Sequence, residues 1–394
     1  MRRVLLAWEL GGGYGHIHRV LPLADQLAAA GLDVTLALRH RATADALLGG
    51  RRHSLVDAPP GPPAMPVPVR IESWADLVFN AGFGQPEAAA RSIGQWAALL
   101  RAARSDLLIA EFAPGAMLGA RLTGLPCLVL GTGWSLPPAT RPLPAIRFWA
   151  PPAPEVLAAG EARLLAAVNP ALRGAGQGPL DSLATLFDPA AGSLCTFPEL
   201  DHYPARVDGA YYGPIYQTGE GGPAHWPAGA GPRCFVYANN AHPLRPALLA
   251  ALGRLGWPTV LHLRGADPGL GAGLPANLWL APGPLRLDGI LAERPIVICQ
   301  GLQTHAAALV AGCPVLSLPE HLEQTGIANR LVPQGLCQAL APQASEAEVL
   351  AALLALREAP GLRARAEGFA ALYHGYKPDI ALAAVAEDAL ALLG

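Results

Sequence analysis

Short apolar runs alternate with longer stretches rich in alanine and leucine along most of the chain. "RRVLLAW" near the start has the pattern of a buried strand, a helix is expected over 18–30, Gly31 closes it, and "DVTLAL" supplies the next strand. "DLLIAE" (Asp106 to Glu111), a helix near 115–122 and "PCLVLG" repeat the scheme. Continuous apolar strands separated by helices mark a parallel sheet covered on both faces. The stretch over 57–70, "DAPPGPPAMPVPVR", carries too many prolines for a central strand and predicts a loop.

The alternation stops at residues 213–232, "GPIYQTGEGGPAHWPAGAGP", and then restarts. "RCFVYAN" is a strand, 244–255 a helix, "PTVLHLR", "NLWLA" and "RPIVICQ" are strands, 304–311 is a helix, and "CPVLSLP" a further strand. The pattern predicts an α/β protein with two parallel-sheet domains, 1–215 and 233–375, joined by a linker over 216–232. The last segment, 376–394, has helical periodicity with Asp379 and Glu387 on its polar positions. Ligands of open α/β sheets sit at the carboxyl ends of strands, so the expected site is a cleft between the two domains.

Composition narrows the partners. The 394 residues are 52% hydrophobic and only 15% charged, enough apolar material for a large core and too much chain for one ordinary domain. A formal net charge of -2, with acids and bases both sparse, argues against nucleic acid and against a basic membrane-docking face. Small molecules are the expected partners. Cys127, Cys195, Cys234, Cys299, Cys313 and Cys337 form neither a CxxC pair nor a zinc spacing, which fits a reducing, cytoplasmic setting. "MRRVLLAW" is too short to be the apolar core of a signal peptide, and no run reaches the roughly 18 apolar residues of a membrane span; peripheral membrane contact stays open. The 40 prolines and 44 glycines punctuate apolar segments without a repeat.

Two clusters carry candidate chemistry. The first, "AWELGGGYGH", places glycines where a strand gives way to a helix, letting backbone approach a ligand in front of a helix N-terminus. A dinucleotide fingerprint fits poorly: counting from Gly11 and Gly13 puts His16 at the third glycine, and "TLALRH" ends its strand without an acid. His16 is a candidate general base, or simply a histidine capping the turn. Glu111, at the carboxyl end of a buried run, is costly unless paired and could orient that ring. His18 competes with His16, and Tyr14 offers a phenol to an acceptor.

The second cluster is "RPIVICQGLQTHAAALVAGCPVLSLPEHLEQ". Between its first strand and helix, Gly301 and the amides near Thr304 are suited to cradle a phosphate. The later loop carries Glu320, His321, Glu323 and Gln324, and an adjacent acid and amide suit a polyol, though a solvated helix start would look the same.

The order of strand, "GH" turn and helix, followed late in the chain by "GxxT...AGxPVLxLPxxxEQ", resembles the GT-B glycosyltransferases. Within them it is closest in pattern to the UDP-glycosyltransferase superfamily of plant, macrolide and bacterial natural-product enzymes, and it is distantly similar to the cell-wall GlcNAc transferase. The resemblance spans essentially the whole chain. It implies a GT-B fold of two Rossmann-like domains facing a cleft, with acceptor bound by the first and nucleotide sugar by the second. It also implies a last helix that crosses back to the first domain; packing on the second is the alternative. His16 matches the family's histidine and Glu111 its acid, where Asp is usual; Glu323 and Gln324 match the residues on the donor sugar. Inverting, metal-independent transfer from a UDP- or dTDP-sugar follows, with no resident cofactor, and the chain has no DxD motif and no Glu-x7-Glu spacing.

The chain also departs from the pattern. Cys299, Gln300, Gly301, Leu302, Gln303 and Thr304 stand where the family has H-G-G-x-G-T/S, Ala307 replaces an acid, and Asn239 and Asn240 replace a GS turn. Asn239, Asn240, Gln300 and Gln303 are the expected substitutes as neutral donors, with Arg264 or Arg286 supplying charge to the diphosphate. Trp74, Phe79, Phe83 and Trp134, with Trp96, Phe148 and Trp149, are candidates to line an apolar pocket for a hydrophobic hydroxylated small molecule or lipid, or else ordinary core. The alternatives are an epimerase-like enzyme on the same fold and a protein that binds sugar nucleotides without turnover. A monomer or homodimer is expected.

Overall fold

The computed structural model describes residues 1–12, 14–39, 53–358 and 360–394. Contacts divide the chain into two units, Met1–Ile215 with Pro378–Gly394, and Tyr216–Lys377.

The first unit is built on seven parallel strands: β1 (Arg3–Trp8), β2 (Asp33–Leu38), β3 (Ser54–Asp57), β4 (Leu107–Glu111), β5 (Cys127–Gly131), β6 (Gly192–Leu194) and β7 (Ala210–Tyr211), in the order β3-β2-β1-β4-β5-β6-β7. The strand order reverses direction between β1 and β4, so the loops leaving these two strands diverge and open a crevice at their carboxyl ends. Register places the last residues side by side: Ala7 pairs with Ala110 and Trp8 with Glu111. Strands of Val, Leu, Ile and Ala are buried on both faces, as a parallel sheet requires; every residue of β4 is buried.

Proline at the first turn starts the helices Pro86–Ala102, Pro114–Thr123 and Pro154–Gly174, where its missing N–H costs nothing and its φ is already helical. Pro114–Thr123 ends on Gly124, left-handed at φ 67. The terminal helix Pro378–Leu393 belongs to this unit. It buries Ala381, Leu382, Val385, Ala386, Ala389 and Leu393, and its Asp388 accepts hydrogen bonds from Ser193 Oγ (2.7 Å) and Tyr212 OH (2.9 Å).

The second unit repeats the plan with six parallel strands: β8 (Cys234–Asn239), β9 (Thr259–Arg264), β10 (Leu278–Leu280), β11 (Ile296–Cys299), β12 (Val315–Ser317) and β13 (Gln338–Ala339). Their order is β10-β9-β8-β11-β12-β13, and the switch falls between β8 and β11. Residues 216–232, expected as a linker, run against this unit: Gly222 N donates to Pro284 O (2.9 Å) and Arg286 N to Gly222 O (2.8 Å). No helix among the described residues is long and apolar enough to cross a membrane.

Candidate functional site

His16 and Glu111 meet at the switch point of the first sheet. The helix Tyr14–Ala29 starts after β1, Glu111 closes β4, and His16 Nδ1 lies 2.8 Å from Glu111 Oε1. Arg19, one turn further along the helix, donates from Nη2 to Oε1 at 2.8 Å and from Nε to Oε2 at 3.1 Å. The side chain of Glu111 is 1% exposed, that of Arg19 6% and that of His16 16%. Burial by itself would raise the Glu111 carboxyl, but the Arg19 guanidinium and the hydrogen bond from His16 outweigh it and hold the group below its ordinary value. An ionised Glu111 can only accept, so Nδ1 of His16 carries a hydrogen, and Nε2 is the nitrogen whose lone pair the neutral ring can offer.

Two aromatic rings stack on the imidazole. Trp8 stacks on it with centroids 5.3 Å apart and planes at 20°, and Phe112 with centroids 6.2 Å apart at the same angle. Phe112 adopts a left-handed φ of 46, uncommon for a bulky residue, and its carbonyl accepts from Leu10 N at 2.9 Å. Trp8 is fixed in turn by Nε1 donating to Leu10 O at 2.6 Å. Gly11 is required in front of Nε2: its φ is +86, and a Cβ there would stand 2.4 Å from that nitrogen. The histidine therefore has an anchored Nδ1, two aromatic walls and a basic nitrogen facing a glycine turn. Of the turn's two histidines, His16 is the one that meets Glu111; His18 is half-buried. Gly13 and the side chain of Tyr14 lie outside the described residues.

Two buried groups near this site escaped the sequence pattern. Arg19 is one, because a lone arginine in an apolar helix gives no sign of its partner. Glu9 is the other: 2% exposed, it accepts from Gly115 N (2.7 Å) and Trp96 Nε1 (3.1 Å), and burial raises its carboxyl to about 7. A glutamate directly after a buried strand was its only signal.

In the second unit the polar residues at the switch point hold one another. Asn239 N donates to Gln300 Oε1 (2.6 Å), Gln300 Nε2 to Glu320 Oε2 (3.1 Å), and Glu320 N to Gln324 Oε1 (2.8 Å). Asn239 Oδ1 accepts from Ala241 N (3.0 Å), and Asn240 Oδ1 from Arg245 Nη1 (2.6 Å). Asn239, Asn240, Gln300 and Gln324 thus brace three loops around the start of the helix Leu302–Val310, which follows Gly301. Thr304 is buried in the first turn, and Gly301, Gln303 and Glu323 are half-buried. The first-turn amides of such a helix have no intrahelical acceptor and suit an anion. His305 locks the turn from below, with Nδ1 2.8 Å from Gly301 O and Nε2 2.9 Å from Ser317 Oγ; fully buried, it is pushed down to about 4 and stays neutral.

Arg264 and Arg286 differ sharply. Arg286 is exposed and already paired with Asp288 at 2.8 Å. Arg264, at the end of β9, lies over the Tyr237 ring at 5.8 Å and has a buried Nε without a hydrogen-bond partner among the described residues.

Most of the expected acceptor aromatics are core. Trp74 (1% exposed), Phe79 (8%) and Phe83 (0%) belong to the hydrophobic cluster of the first unit, and Trp74 packs edge-on against Phe187 at 4.9 Å. Trp74 and Phe83 present no surface to a ligand in this conformation, because both are enclosed in that cluster. Trp134, half-buried and 5.7 Å from His202, keeps some.

No protein-family model matches the chain, and no curated protein does. Solved structures do. The glycosyltransferase of kitacinnamycin superposes with a TM-score of 0.73 at 19% identity, over 100% of this chain and 99% of that one. CalG4, the calicheamicin glycosyltransferase, gives 0.68 at 19% identity over 100% and 98%. The spinosyn rhamnosyltransferase SpnG gives 0.63 at 20% identity over 100% and 99%, and has also been solved with thymidine diphosphate and with spinosyn aglycone. The chain has the GT-B fold of these proteins.

Proposed function

We propose that the chain is a glycosyltransferase that moves a sugar from a nucleotide sugar, UDP- or dTDP-linked, to a hydroxyl of an apolar small molecule or lipid, with inversion and without a metal or resident cofactor. The observation that carries this reading is the His16–Glu111 pair with Nε2 directed at a glycine turn, on a fold shared with natural-product glycosyltransferases. Its six cysteines form no disulfide, in keeping with a reducing cytoplasm.

In this mechanism Nε2 of His16 takes the proton of the acceptor hydroxyl as its oxygen bonds to the anomeric carbon. The bond from that carbon to the diphosphate oxygen breaks, and the diphosphate leaves with the electron pair. Glu111 stabilises the imidazolium through Nδ1–H. The amides of Gly301 to Thr304 and the Arg264 guanidinium receive the charge developing on the leaving group, which is the work a divalent cation does in metal-dependent transferases. Glu323 and Gln324 are assigned to the sugar hydroxyls. Gln300, Asn239 and Asn240 act by holding the loops in place, and the half-buried Trp134, Phe148 and Trp149 are the aromatics with surface to offer an acceptor.

The test is a panel of UDP- and dTDP-sugars against hydrophobic hydroxylated acceptors, with product anomeric configuration read by NMR and the assay repeated in EDTA. Transfer with inversion, undiminished by chelation, is expected. His16→Ala is expected to lower turnover at least about 100-fold while calorimetric donor binding persists. A His16→Ala enzyme at full rate overturns the assignment. Donor binding with no transfer by the unaltered protein would favour a binding protein, and interconversion of the sugar nucleotide alone an epimerase.

A further inference from the structure

Glu111 serves two groups with one oxygen. Arg19 Nη2 and His16 Nδ1 each lie 2.8 Å from Oε1, and Arg19 Nε completes a fork on Oε2 at 3.1 Å. A guanidinium is a permanent cation in a fixed planar geometry, whereas an imidazole exists both with and without its second proton. Taking His16 as the base, as above, we propose that Arg19 is a positioning residue that keeps the His16–Glu111 pair in its proton-accepting state near neutral pH and thereby sets the lower pH limit of sugar transfer.

The net charge of the array governs proton uptake. With Arg19 present, the array of guanidinium, carboxylate and neutral imidazole sums to zero, and taking up a proton leaves a net positive charge in a buried place. Without Arg19 the same uptake converts a net negative pair into a neutral one. Proton uptake is then easier whether the proton settles on the ring or on the carboxyl.

The other titratable groups around the array do not supply this charge. Cys195, after β6, lies near both Arg19 and Glu111, but burial pushes its thiol up to about 12 and it is neutral. Asp388, from the terminal helix, is committed to Ser193 and Tyr212. Glu9 turns its carboxyl to Trp96 and Gly115. His18 lies two positions on along the same helix and is half-buried. The rings that cover His16 itself, Trp8 and Phe112, are uncharged.

The experiment is an NMR titration of the protein with carbon-13-labelled histidine, in which the His16 ring is identified as the resonance lost in His16→Gln. Arg19→Met is expected to raise the midpoint of that resonance by about one pH unit or more, as loss of a charge at this separation dictates. The acidic limb of kcat/KM should move with it. Arg19→Lys, which keeps the charge, should hold the midpoint near the unaltered value even if its looser geometry slows transfer. Should Arg19→Met not fold, Arg19→Gln gives the same neutral comparison. An unmoved midpoint in the neutral variant, with only rate or stability lost, overturns the inference and leaves Arg19 a packing residue. The titration needs no substrate, so failure of the transferase reading shows separately, as absent transfer by the unaltered protein or undiminished transfer by His16→Gln.

Discussion

Gly11→Ala is the sharpest single perturbation of the proposed base, because it adds one methyl group and removes no functional atom. The new Cβ would stand 2.4 Å from His16 Nε2, 3.1 Å from Cε1 and 3.2 Å from Cδ2, where ordinary contact begins at 3.4 Å. The ring must therefore move by about 1 Å, or the turn must open. The ring has little freedom to yield, since its other nitrogen is hydrogen-bonded to Glu111 at 2.8 Å and Trp8 and Phe112 stack on it. The φ of +86 adds about 1–2 kcal/mol for a residue with a Cβ. A misplacement of about 1 Å in a base that must meet a specific hydroxyl costs on the order of 100-fold in rate. The expected outcome is a folded protein, destabilised by about 1–3 kcal/mol in urea unfolding, with kcat/KM down about 100-fold and calorimetric donor binding retained. A Gly11→Ala enzyme with unaltered kcat/KM would refute the reasoning, because the ring could then not be working from the position described.

Three further outcomes follow from the same geometry. Glu9, raised to about 7 by burial, holds a proton in the folded protein that the unfolded chain releases near its ordinary value of 4.5; its stabilising contribution is therefore full below about 4.5 and lost as pH rises through about 7. Glu9→Gln should flatten that slope, gaining on the unaltered protein at pH 8 relative to pH 5 in urea unfolding; parallel curves would contradict it. Arg264→Met should weaken nucleotide-sugar binding by about tenfold or more in calorimetry, consistent with loss of a charged hydrogen bond, and leave unfolding of the protein nearly unchanged. Asp388→Ala removes both hydrogen bonds that tie the terminal helix to Ser193 and Tyr212, and should cost about 1–3 kcal/mol by chemical denaturation with donor binding intact.

Much of the framework is legible in the chain. The strands β1, β2, β4, β5, β8 and β9 coincide with apolar runs bounded by glycine, proline or a charge, and the helices after β4 and β8 begin within one residue of the expected start, while the helix after β11 begins two residues early and that after β1 four, at Tyr14. Other elements are silent. The strands β6, β7, β10 and β13 have only two or three residues, too few to show a period. The helices Pro86–Ala102 and Pro154–Gly174 each bury one face at helical spacing, Ala88, Ala89, Ile93, Trp96, Ala97 and Leu100 in the first and Leu164, Ala167, Val168 and Leu172 in the second, but small residues make up much of each stripe and blunt its signal in the sequence.

Local order along the chain was sufficient to determine the alternation of strand and helix, the restart after residue 232, the glycine turn before His16 and the acid that ends β4. These are properties of neighbours, and periodicity and turn chemistry act over a few residues. Only the folded protein decided that β1 and β4 lie side by side, which puts Glu111 at 2.8 Å from a histidine 95 positions away and gives both oxygens of that carboxylate to Arg19. It alone turned Trp74 and Phe83 inward, and tied Gln300 to Asn239 and Glu320. The physical reason is that a partner distant in sequence is chosen by strand order and packing: the places of His16 and Glu111 at a turn and a strand end suggested their meeting, but nothing near Arg19 or Gln300 records theirs.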